Sequence, residues 1–89
     1  MGRRMFPADV ISVCRADGGI RPLRFQVEGV SENVLKGDIC RVLDTKQIHY
    51  TGAEANVFLC EARILERFWT VELKYMIRSH TWWLVDFLH

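Results

Sequence analysis

Apolar and polar positions alternate most cleanly between Asn56 and Leu88, and this stretch predicts three strands. Over residues 56–64, Phe58, Cys60, Ala62 and Ile64 share one face, while Glu61 and Arg63 lie on the other. A period of two with a polar side marks a half-buried strand. Val57 and Leu59 make the first half apolar on both sides, so cover is expected on both faces there. Residues 68–75 are cleaner still. Trp69, Val71, Leu73 and Tyr75 oppose Thr70, Glu72 and Lys74. A helix would scatter those apolar positions around its cylinder. The short link Leu65-Glu66-Arg67 makes the pair an antiparallel hairpin.

Residues 81–88 are apolar on both faces. Trp82 and Trp83 are adjacent, so in a strand they point to opposite sides. Asp86 shares parity with Trp82 and is costly to bury unpaired. That places Trp83, Val85 and Phe87 inward, and leaves Trp82, Leu84 and Leu88 as an outer apolar strip. Such a strip is either covered by the connection around Ile48 and Tyr50 or is a surface for a partner.

The first half of the chain is less regular. Residues 9–15 predict a first strand, and Ala16-Asp17-Gly18-Gly19 predicts a tight turn, because glycine accepts positive φ. Residues 20–28 predict a second strand with Leu23, Phe25 and Val27 inward and Arg24, Gln26 and Glu28 outward. Pro22 cannot donate to a ladder, so it marks the start of that strand or an edge. Residues 29–36 read as a loop and 37–43 as a third strand, with Ile39, Arg41 and Leu43 against Cys40 and Val42. Residues 44–55 read as a long connection, holding either a helical turn over 45–49 or an extended excursion ending at Gly52. The expected core is Leu23, Phe25, Phe58, Val71, Leu73 and Tyr75.

Five or six short strands with hairpin turns predict an all-β fold: a small antiparallel meander closed into a barrel or forming a strongly bent sheet, SH3-like or OB-like by strand number. Residues 1–89 make one domain, with residues 1–7 as a flexible N-terminal tail. The run Ile20-Arg21-Pro22-Leu23-Arg24-Phe25, together with Glu72-Leu73-Lys74-Tyr75 and the Trp-rich end, resembles small bacterial β-domain proteins with no assigned activity. The resemblance implies a bacterial, cytoplasmic β domain and carries no functional residues.

Composition narrows the function classes. Twelve basic residues against 11 acidic ones leave a net charge of +1, so no global field draws the chain to nucleic acid. No apolar run approaches a membrane span, and the start has no apolar segment of a secretory signal. Phe6 stands where a myristoylation motif needs Ser or Thr. Cys14, Cys40 and Cys60 are odd in number and far apart, which predicts free, buried thiols in a reducing cytoplasm rather than a disulfide frame or a zinc site.

No catalytic pattern emerges. His49, His80 and His89 lack metal-binding spacing. Ser12, Ser31 and Ser79 lack a nucleophile elbow. Asp9, Asp17, Asp38 and Asp44 form no evident pair. The glycine turn precedes no helix, so turn chemistry explains it better than phosphate binding. No enzyme activity, cofactor or metal is therefore expected. The densest basic group is Arg21 and Arg24, with Arg15 near and Arg3 and Arg4 in the tail. Beside an exposed aromatic it would serve a nucleic-acid-binding barrel; the plainer account is a solvated face balanced by Glu28, Glu61 and Glu72. The leading expectation is protein–protein association or self-association through the Trp-rich last strand, where rings bury large area at little entropic cost. Nucleic-acid binding is the alternative.

Overall fold

A computed structural model describes residues 5–28, 34–49 and 54–88, with side chains through Val85. Six strands follow one another: β1 (Phe6–Cys14), β2 (Ile20–Val27), β3 (Leu35–Ile48), β4 (Ala55–Ile64), β5 (Arg67–Met76) and β6 (Thr81–Leu88). Each is antiparallel to the next, and β6 returns to β1. The result is a closed all-β barrel.

Local chemistry sets the turns. Between β1 and β2, the Arg15 N–H donates to Gly19 O at 2.7 Å and the Gly18 N–H to Arg15 O at 2.9 Å. The Asp17 carboxylate accepts from the Gly19 N–H at 2.9 Å, and Gly18 takes φ 90°. The β4–β5 turn is tighter than the sequence implies. Arg67 already pairs with Ile64, so Leu65 and Glu66 turn alone, at φ 50° and 65° and without a glycine.

The core gathers on the inward faces of β2, β4, β5 and β6. Phe25, Val27, Phe58, Cys60, Ala62, Ile64, Val71, Leu73, Trp82 and Leu84 are buried together. The Trp82 ring lies 5.6 Å from that of Phe58 and 4.9 Å from that of Tyr75, within the range of favourable aromatic pairs. Ala55 and Val57 are buried as well, so the start of β4 is covered on both faces as expected.

Several expectations fail, and bulges cause most of the failures. Leu23 is exposed rather than buried. Ile11 faces Arg24 and Ser12 faces Pro22, so Leu23 is the extra residue of a bulge and Pro22 takes the inward place. In β6, Leu73 faces Leu84 and Glu72 faces Asp86, so Val85 is extra. Parity counted from Asp86 therefore does not reach Trp82. Trp82 and Leu84 are core and Trp83 is half-buried on the outside, so neither Trp82 nor Leu84 contributes to an outer strip. The side chains of Phe87 and Leu88, and all of Tyr50, lie outside the described residues.

β3 carries two bulges, at Cys40 and Leu43, and runs on to Ile48. Of the two alternatives for the connection after residue 43, the extended one holds through Ile48 and the helical turn does not, its expected end at Gly52 lying outside the described residues. Ile39 and Val42, not Leu43, pack against the core. Phe6 and Pro7, expected in a flexible tail, belong to β1, where Phe6 pairs with Leu84 and packs on the core; residues 1–4 lie outside the described residues. Tyr75 is half-buried, its hydroxyl sharing a hydrogen bond with His80 Nδ1 at 2.9 Å.

Candidate functional site

The barrel closes along two short seams, one on each side of β1–β2. β2 meets β3 only from Arg24 opposite Asp38 to Val27 opposite Leu35. Among the described residues, β1 meets β6 only from Phe6 opposite Leu84 to Ala8 opposite Trp82. By contrast, β4 and β5 pair along their whole length, from Ala55 opposite Met76 to Ile64 opposite Arg67. Beyond the seams four stretches of strand edge have no neighbour among the described residues: β1 after Ala8, β2 before Arg24, β3 after Asp38, and β6 after Leu84, which carries the extra residue Val85 and the charge of Asp86.

An unpaired edge is a template for another strand unless it is defended. β3 is defended by its two bulges and by Arg41, Asp44 and Lys46. β2 carries Arg21 and Pro22, and proline offers no donor. On β1 the stretch Val10-Ile11-Ser12-Val13-Cys14 has no charge, proline or extra residue. Its residues from Ile11 to Cys14 are exposed whichever face they occupy. Ile11 is 59% and Val13 40% accessible, with the bulged Leu23 beside them at 42%. Next to this edge, Pro7 faces Trp83 across the seam, and a groove of about 460 Å³ lies among Pro7, Asp9, Val10, His80, Thr81 and Trp83. The Trp83 indole N–H donates to Thr81 Oγ1 at 3.3 Å, which fixes the ring on the outer wall.

Of the expected arginine cluster, Arg3 and Arg4 lie outside the described residues, and Arg15, Arg21 and Arg24 are dispersed. Arg24 Nε is 2.8 Å from Asp38 Oδ1, and Arg63 Nη2 is 3.9 Å from Asp38 Oδ2. Arg24 is thus neutralised in place. Arg15 sits in the β1–β2 turn. Arg21 leans over the mouth between β2 and β3, where it joins Ile20, Arg41, Val42, Thr45 and Phe58 around a cleft of about 390 Å³. Arg41 is 3.8 Å from Glu61 Oε1. Arg21 makes no ion pair among the described residues, and its charge reaches Cys60. Burial pushes the Cys60 thiol up from 9.0 to about 12, with Arg21 opposing that shift.

All three cysteines are free, but only Cys60 is buried; Cys14 and Cys40 are exposed, contrary to expectation. Among the described residues no group of His, Cys, Asp and Glu is arranged to hold a metal ion. Asn56 Oδ1 is buried without a hydrogen-bond partner among the described residues; its neighbours across the ladder are Gln47 and Tyr75.

Compared with protein-family models, with curated proteins and with solved structures, the chain matches none. The resemblance to small bacterial β domains therefore stands on its short motifs alone. The β1 edge was missed in the sequence because an edge is a property of pairing. One signal was present: Val-Ile-Ser-Val-Cys is the longest uncharged run in the first half of the chain that is rich in β-branched residues.

Proposed function

We propose that the chain is a β-barrel interaction module, not an enzyme, which binds another polypeptide by strand addition along the edge of β1. One observation carries the reading: the Val10–Cys14 stretch, exposed from Ile11 onward, is undefended and has no neighbour on one side among the described residues, while the other such edges carry bulges, charges or proline. A strand laid there gains main-chain hydrogen bonds for affinity and meets Ile11 and Val13 for selectivity. The last strand takes part through Trp83 on the outer wall, and not through Trp82 and Leu84, which are core. Free cysteines are in keeping with a reducing compartment, and we place the module in the cytoplasm. Likeness to SH3-like or OB-like barrels adds strand number and nothing about the ligand.

The test is a photo-crosslinking amino acid at Val13, with Phe68 on a distant turn as the control site. Strand addition predicts adducts from Val13 and few from Phe68. Equal yields at the two positions, or none, would overturn it.

A second reading has its own observation. Arg21 and Arg41 flank a cleft whose floor is the buried Phe58, and the two cations are placed to meet successive phosphates of a single-stranded nucleic acid. Anisotropy of a labelled oligonucleotide at low salt decides this. Binding that weakens when Arg21 and Arg41 become Ala, with a salt slope lowered by about 1 per lost contact, supports it. No binding by the parent ends it.

A further inference from the structure

We infer that the strand added to β1 is β1 of a second copy, antiparallel and centred on Ser12. The inference rests on the strand-addition reading and names its partner and register.

The direction of the backbone groups comes first. Both the N–H and the C=O of Arg15 are turned into the β1–β2 turn, bonded to Gly19 and Gly18. Along a strand successive residues aim these groups to alternate edges. Cys14, Ser12 and Val10 therefore present theirs to the unpaired side. A two-fold axis at Ser12 opposes Ser12 to Ser12, and Val10 to Cys14, in both directions. Every outward-aimed group of that stretch is then bonded.

Side chains agree with the same register. Ile11 meets Val13 of the second copy, apolar against apolar, and no like charges are opposed. One step further out, Asp9 of each copy meets Arg15 of the other, so the pairing is bounded by two ion pairs. At that corner β6 ends at Thr81, and the groove among Asp9, Val10, His80 and Thr81 gives the Arg15 end of the second copy a place to sit. Centring on Cys14 instead leaves Val10 unbonded and sets Ile11 against Asp17. Centring on Val10 drives the second strand into the space held by β6. The Ser12 register joins two β1–β2 ribbons into a four-stranded sheet, and a ribbon of two strands alone is marginal in water.

The test uses the whole chain. Sedimentation over a range of concentrations should show a monomer–dimer equilibrium. Ser12→Pro removes one outward N–H and no bond within the chain, so it should give a monomer with the parent's circular dichroism. Val13→Lys, which leaves the backbone unchanged, should do the same. Asp9→Arg should weaken the dimer about tenfold, and adding Arg15→Asp should restore it. In a Cys14→Ser, Cys40→Ser background, Ser12→Cys should crosslink on mild oxidation, since directly opposed residues lie about 5.5 Å apart at Cα. A parent monomeric at every concentration, or a dimer indifferent to both Ser12→Pro and Val13→Lys, overturns the inference. If the parent is monomeric yet Val13 still yields adducts with other proteins, strand addition survives and the second copy does not. A dimer that crosslinks through Cys14 and not through Ser12→Cys overturns the register.

Discussion

The β4–β5 hairpin and the β1–β2 ribbon are built from similar residues and behave as opposites. In the first, strands pair from end to end, another strand lies on each side, and Cys60, Ala62, Val71 and Leu73 are fully buried. In the second, each strand touches the rest of the barrel for only part of its length, and Ile11, Val13 and Leu23 face solvent. The difference teaches that β-branched content does not by itself say whether a strand is core. What decides is how many edges and faces its neighbours cover.

The largest test of the contrast is truncation at matched residues. Leu73→Ala should cost about 2–5 kcal/mol, because a buried leucine is lost and a cavity left. Leu23→Ala should stay within about 0.5 kcal/mol, as surface changes usually do. Urea denaturation of both variants checks this, and equal midpoints would erase the distinction between the two regions.

Gly37→Ala probes the β2–β3 seam. A Cβ there would overlap the Phe25 ring, and would lie 3.1 Å from Ile64 Cγ1. Phe25 faces Gly37 across the ladder and fills the place of the missing side chain. Overpacking of this kind costs about 1–3 kcal/mol. Thermal unfolding should therefore begin lower in Gly37→Ala, and an unchanged midpoint would mean that the seam yields freely.

Cys60 probes the middle of the well-covered region through pH. Its thiol holds its proton up to about 12 in the folded chain, against 9.0 when exposed. Between those values the unfolded chain binds fewer protons, so stability is full below pH 9 and falls as pH rises. The slope from this one group reaches about 1.4 kcal/mol per pH unit. Denaturation curves for parent and Cys60→Ala should converge from pH 9 upward. Curves that stay parallel would show that Cys60 does not contribute the slope.

The smallest effect belongs to Arg24→Ala. The Arg24–Asp38 pair is short but both partners are largely solvated, so its loss should cost about 0.2–1 kcal/mol and shrink with added salt. A cost above that range in guanidine-free thermal melts would mark the ion pair as a clamp on the seam.

Much of the fold is legible in the sequence, and most of the errors have one source. Period-two reading locates β2, β4, β5 and β6 closely, because Trp69, Val71 and Leu73 repeat without interruption. Parity holds only between bulges. One extra residue at Leu23 hides the inward turn of Pro22, two at Cys40 and Leu43 hide the second half of β3, and one at Val85 reverses the argument for Trp82. Nothing in a linear pattern announces an inserted residue when its neighbours are also apolar. The candidate site was harder still. Whether Val10–Cys14 is core or edge depends on where β6 begins, and that is fixed far away in the chain.

The β1–β6 seam has a kinetic consequence. Each of the other ladders joins strands consecutive in the chain, whereas Phe6 opposite Leu84 joins its two ends. Closing so long a loop costs the most chain entropy, so this joint forms after the local hairpins are in place. Among the described residues it is also the shortest joint. A transient opening therefore begins there, well below the free energy of global unfolding. In native-state hydrogen exchange the Ala8 amide should lose protection before that of Val71, and equal protection would contradict this order. On this account the barrel is a hinged ring whose latch is its own first strand.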